Sequence, residues 1–186
     1  MERRERSSSY LILFLFILFL LWVLLQFLSP LLFPCNSIDD LSGITGVVDN
    51  QETIETIPFP FNLVYSVGDR LCHQKAERSF FINGNQMPFC SRCTSIWLGL
   101  TIGLGFMIFY KIALDQKFFF LIVVGFVPLA IDGIGQLLNF WESTNITRLI
   151  TGLLAGIVTG IAIGIIIDEI KQIYILKKQQ LINKVK

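Results

Sequence analysis

The sequence predicts an all-α integral membrane protein: four transmembrane helices carrying a small outward-facing Cys/His loop module made of a short helix and a hairpin. Three observations carry this expectation. Of 186 residues, 53 % are apolar and 17 are phenylalanine, with a mean hydropathy of +0.65, which is too apolar for an ordinary soluble domain. Four apolar runs, 10–33, 94–114, 118–138 and 149–167, approach or exceed the roughly 20 residues that cross a bilayer as helix. Three of the four cysteines and the only histidine fall within 72–93. The net charge of +1 gives no nucleic-acid footprint, so the lipid bilayer is the implied partner and the cell membrane the implied location.

The first run follows Arg3, Arg4 and Arg6. A cleaved secretory signal would carry about 7–15 apolar residues ending in small ones. This run is longer and closes on Leu31, Leu32 and Phe33. It therefore reads as a retained signal-anchor helix, 10–33, after a cytoplasmic N-terminus, 1–9. The segment 34–60 has no lysine or arginine but carries Asp39, Asp40, Asp49, Glu52 and Glu55. Its Ser, Thr, Asn and Gly content predicts an acidic, flexible outer loop with little core of its own.

Residues 61–93 form the expected Cys/His module. Val64, Val67 and Leu71 recur at helical spacing, as in a short helix lying on the membrane surface, which delivers Cys72-His73-Gln74. Asn83-Gly84 between two short runs is a hairpin signal and returns the chain to Cys90-Ser91-Arg92-Cys93. The three-helix membrane unit, 94–170, and a basic cytoplasmic tail, 171–186, complete the chain. With the N-terminus inside, ten basic residues fall on the cytoplasmic side against Arg70, Lys75, Arg78, Arg92 and Arg148 outside, in accord with the positive-inside rule. Both termini are thus expected in the cytoplasm.

Glycines 152, 156, 160 and 164 recur every fourth residue in the last helix, and Gly99 and Gly103 continue a shorter stripe from Ser95 in the second. Small-residue stripes let helix backbones approach closely, so these helices are expected to pack together; the stripes could alternatively serve a homo-oligomer. Asp132 and Gln136 share a face of the third helix, after Pro128. An acid inside a membrane helix marks a functional site or a structural ion pair, and Arg148 at the head of the next helix is the expected partner, with Thr151 one turn on.

The combination Cys72-His73-Gln74, Glu77-Arg78-Ser79-Phe80, Gly84, Gln86-Met87-Pro88, Cys90-Ser91-Arg92-Cys93-Thr94 and Gly99 resembles a family of small prokaryotic membrane proteins, domain of unknown function 2085. Asp132-Gly133, Gln136, Arg148, Thr151-Gly152 and Gly156 look like the rest of its pattern. The resemblance covers about 61–167, with Ser95 standing where glycine is expected. It implies a membrane location and a motif, but no activity.

Two chemistries suit the central stretch. Thiolates and imidazole bind zinc or another transition metal, and Cys72, His73, Cys90 and Cys93 would make a four-ligand set. Cys72 and His73 are adjacent, however, so their side chains diverge unless the backbone bends. Three ligands with an open position would suit chemistry, whereas four would suit a structural site. Alternatively, cysteines on an oxidising outer face could hold the loop as a disulfide in a non-catalytic scaffold, or exchange disulfides, with Arg92 stabilising a thiolate. Whether the protein is an enzyme, and on what substrate, is not written in these residues.

Overall fold

The computed structural model describes residues 10–112 and 114–185. The N-terminal segment 1–9, with Arg3, Arg4 and Arg6, and the final Lys186 lie outside the described residues. The chain runs α1 (Tyr10–Leu32), α2 (Gln51–Glu55), α3 (Phe61–Leu71), a 3-10 turn (Ala76–Arg78), β1 (Ser79–Ile82), β2 (Asn85–Cys90), α4 (Ser91–Phe109), α5 (Gln116–Leu137) and α6 (Asn145–Val185). Among the described residues, four helices are long and apolar enough to cross a membrane: α1, α4, α5 and the stretch Asn145–Asn183 of α6. Large apolar side chains such as Phe119, Phe120, Leu137 and Leu28 stand exposed along them, a surface that suits lipid rather than water.

The centre of the membrane unit is the α4–α6 pair. Both helices start at the module end, so they run parallel, and their small residues meet in register. A Cβ added to Gly99 would come 3.0 Å from the Gly156 Cα, and one added to Gly103 would come 3.0 Å from the Gly160 Cα. Ser95 faces Gly152 above these pairs and Met107 faces Gly164 below. The stripes expected to bring the two helices together meet each other inside the chain. Ile12 of α1, Leu100, Leu104 and Met107 of α4, Phe118 of α5, and Ile161 and Ile165 of α6 form the main core. The basic segment from residue 171 continues α6 as one helix through residue 185.

At the head of this unit sits the module. β1 and β2 pair antiparallel, with Ile82 opposite Asn85, and Asn83 and Gly84 both take positive φ, 55° and 70°. That is the backbone a two-residue hairpin with right-handed strand twist requires. α3 packs one face inward. Its buried face is Val64, Tyr65, Gly68 and Asp69, not the Val64–Val67–Leu71 stripe, and Leu71 is 60 % exposed. A Cβ at Gly68 would come 3.0 Å from the Pro88 carbonyl carbon, so glycine lets α3 lie against β2.

The acidic segment 34–60 is also built in, contrary to its expected flexibility. Ile38, Leu41, Ile54 and Ile57 form a small core with Tyr65. Buried amides pin it to the hairpin. Asn85 Oδ1 accepts from the Ser37 and Ile38 N–H groups at 2.8 and 3.0 Å, while its Nδ2 donates to the Pro30 and Pro34 carbonyls. Gln86 Oε1 accepts from Leu41 N–H at 3.0 Å, and its Nε2 donates to the Gln74 carbonyl. Buried amides with every arm engaged fix a loop as firmly as a strand ladder does.

Candidate functional site

Three cysteines converge where α3, β2 and α4 meet. Cys72 leaves the end of α3, Cys90 ends β2, and Cys93 lies in the first turn of α4. Their sulfurs all lie within 4.8 Å of one another. Two sulfurs on one tetrahedral ion with Zn–S bonds near 2.3 Å are about 3.8 Å apart, which fits inside that limit. Val64 and Phe89 bury the cluster, with Trp22, Leu25 and Val67 packed around it. Cys72 Sγ accepts the Cys90 N–H at 3.4 Å. None of the four cysteines is in a disulfide, and Cys35 is exposed and apart from this group.

The thiols share their protons unequally. Hydrogen bonds from Cys72 and then Cys93 hold the Cys90 thiol well below the usual thiol range. The Cys72 thiol is pushed up, chiefly by its hydrogen bond to Cys90. Three thiols this close together could hold a metal ion.

His73 stands outside the sulfur group. Cys72 is extended, at φ −136° and ψ 144°, and consecutive side chains in extended backbone point to opposite faces. The His73 Nδ1 instead accepts the Lys75 N–H at 3.2 Å, and its carbonyl accepts from Gly43 N–H at 3.0 Å. Burial lowers its basicity, so neutral imidazole is favoured.

Beside the cysteines lies a second polar group. Asp132, 4 % exposed, is paired with Arg92, not with Arg148. Arg92, in the first turn of α4, lies beside the module end of α5, whereas the Arg148 guanidinium turns to Gln136 and Asn145. Ser143 Oγ donates to the same Asp132 oxygen at 2.8 Å. Arg148 Nη1 lies 3.4 Å from Asn145 Oδ1. Gln136, with its amide turned so that its neighbours are satisfied, accepts from Arg148 Nη2 at 2.9 Å and from Arg78 Nη2 at 2.9 Å. Thr151 is buried, but its hydroxyl donates to its own helix at the Thr147 carbonyl, 2.9 Å away. Ser91 Oγ joins the groups, 2.9 Å from Asn145 Oδ1 and 3.0 Å from the Arg78 carbonyl.

The structure thus gathers Cys72, Cys90 and Cys93, and next to them Arg92, Asp132, Gln136 and Arg148, with His73 and Thr151 engaged elsewhere. Arg78, Ser143 and Asn145 join the polar group without having been singled out as site residues. Arg78 did have a sequence signal, as a basic residue within the cysteine-histidine stretch. Ser143 sits in the short loop before α6 and gave none, and Asn145 opens α6.

Residues 72–167 match the family model described as predicted membrane protein (DUF2085). The chain belongs to this family. The matched region begins at Cys72 and carries the whole hairpin, α4, α5 and the α6 segment packed against them, and so holds both polar groups. An uncharacterised protein of Methanocaldococcus jannaschii is 38 % identical over 90 residues, covering 47 % of this chain and 58 % of that protein. An uncharacterised protein of Methanothermobacter thermautotrophicus is 38 % identical over 81 residues, covering 44 % of this chain and 73 % of that protein. The chain thus spans a little over half the length of the first of these relatives. No solved structure matches.

Proposed function

We propose that this membrane protein binds a transition-metal ion, zinc above all, at a three-thiolate centre formed by Cys72, Cys90 and Cys93. The observation that carries the reading is the mutual approach of the three sulfurs in an apolar pocket. Thiolates select zinc and other borderline or soft ions over magnesium or calcium. Three protein ligands leave one position of a tetrahedron for an outside ligand, which favours metal handling or chemistry over a purely structural clasp. The module faces outward in this reading, with both termini cytoplasmic, because the basic residues bias that way.

The third sulfur also favours a second reading. A disulfide between any two of the three leaves the remaining thiol against it, which is the arrangement thiol–disulfide exchange requires.

Metal analysis of the detergent-purified full chain, with thiol counting in the same sample, separates the two. The metal reading expects about one metal equivalent per chain, lost in Cys90→Ser and kept in Cys35→Ser. Metal-free protein with two of the three clustered thiols blocked as a disulfide would replace it with the exchange reading.

A further inference from the structure

Three guanidinium groups are brought to one spot at the module end of the membrane unit. Arg78 comes from the turn before β1, Arg92 from the first turn of α4 and Arg148 from the first turn of α6. The Arg148 guanidinium feels the charges of both Arg78 and Arg92. One buried carboxylate, Asp132, stands among them: its Oδ2 is held by Arg92 and Ser143, and its Oδ1 has no hydrogen-bond partner.

The other two guanidiniums meet on a neutral acceptor, the Gln136 amide oxygen. Arg148 is 4 % exposed, and buried charges are normally paired. Glu77 approaches Arg78 Nε only to 3.7 Å and is 63 % exposed, so solvent screens most of its pull. Arg78 Nε and Arg92 Nε are buried without a hydrogen-bond partner. Each is one tine of a fork that can donate to two oxygens of an oxyanion. The long helices α4 and α6 begin at the same place and add the positive ends of their dipoles.

We infer that Arg78 and Arg148, with the outer edge of Arg92, form a binding site for a phosphate group. A doubly charged tetrahedral oxyanion supplies what the cluster lacks: two negative charges and several oxygens at guanidinium spacing. The site lies where the membrane helices begin, so the phosphate can come from a phospholipid headgroup or from a soluble phosphate compound. It does not depend on metal at the cysteines.

The test uses the delipidated full chain in neutral detergent, titrated in one arm with inorganic phosphate by calorimetry. In the other arm, phosphatidic acid and phosphatidylcholine are added and bound lipid is read by native mass spectrometry. Saturable phosphate binding assigns a soluble source; preferential retention of phosphatidic acid assigns a headgroup; either supports the site. Arg148→Gln and Arg78→Gln should each weaken the positive arm by about tenfold or more, the scale of a lost charge-assisted pair, while Arg70→Gln leaves it unchanged. Should Arg148→Gln fail to fold, the less buried Arg78, 22 % exposed, carries the comparison. No saturable binding in either arm, or binding indifferent to Arg78→Gln, overturns the inference.

Discussion

Arg92, in the first turn of α4, donates to Asp132 near the end of α5, forty positions along the chain, and the Ser143 hydroxyl bonds to the same carboxylate oxygen. The link joins two membrane helices that share little other polar contact. Removing one partner of a buried pair leaves the other charged and unsatisfied. Asp132→Ala should therefore cost about 2–3 kcal/mol, below the fully buried range because the Arg92 side chain is 24 % exposed. Denaturant unfolding in detergent measures it. Arg92→Ala with Asp132→Ala should cost clearly less than the two single changes added together; strict additivity would mean the pair does not hold the helices.

The parallel glycine pairs make a steric prediction with a built-in control. A valine at Gly160 forces a branched side chain onto the Gly103 backbone, which cannot give way, and should cost about 3 kcal/mol or more. At Gly105 the atom met is the edge of the Phe16 ring, which can rotate, so Gly105→Ala should cost less than about 1.5 kcal/mol. Thermal unfolding of the two variants should rank them in that order.

Gln86 bridges the hairpin to Leu41 and Gln74. Gln86→Leu keeps the volume but leaves the Leu41 N–H and the Gln74 carbonyl buried and unpaired, at about 1–3 kcal/mol each. The loss falls on the cap, not on the membrane unit. Limited proteolysis should cut the 34–60 segment readily in Gln86→Leu and slowly in the native chain, with the membrane fragment intact in both.

The metal reading separates His73 from its neighbours. His73→Ala should retain metal near the native level, because the imidazole is turned to Lys75, whereas Cys72→Ser and Cys93→Ser should each lose it. A strong chelator should lower the native melting temperature and leave that of Cys90→Ser unmoved, since a ligand that binds only the folded state stabilises it by mass action. Metal loss in His73→Ala comparable to that in Cys72→Ser would put the imidazole among the ligands.

The membrane architecture was legible because a bilayer demands long apolar helices and lipid-embedded packing demands small residues at fixed spacing. Gly99, Gly103, Gly152, Gly156, Gly160 and Gly164 stated the α4–α6 pairing in the sequence, and Asn83-Gly84 stated the hairpin. What did not show was long-range polar bonding. Asp132 was paired by sequence proximity to Arg148, but folding offered it Arg92, and no local pattern encodes which guanidinium arrives. The segment 34–60 looked flexible because its apolar residues follow no period. Its order comes from Asn85 and Gln86, amides far along the chain whose role depends on the completed hairpin. His73 is set aside for a local reason, the extended backbone at Cys72.

The sulfur cluster is also a seam. Cys72 belongs to the cap, through α3, whereas Cys90 and Cys93 belong to the root of α4, which the glycine pairs lock to α6. Any bond formed across the cluster, to a shared ion or between two sulfurs that include Cys72, fastens the cap to that root. Loss of the bond leaves the two joined by the hairpin, the buried amides and apolar contact alone. The chemical state of three sulfur atoms would thereby set how tightly the cap is buttoned to the membrane unit.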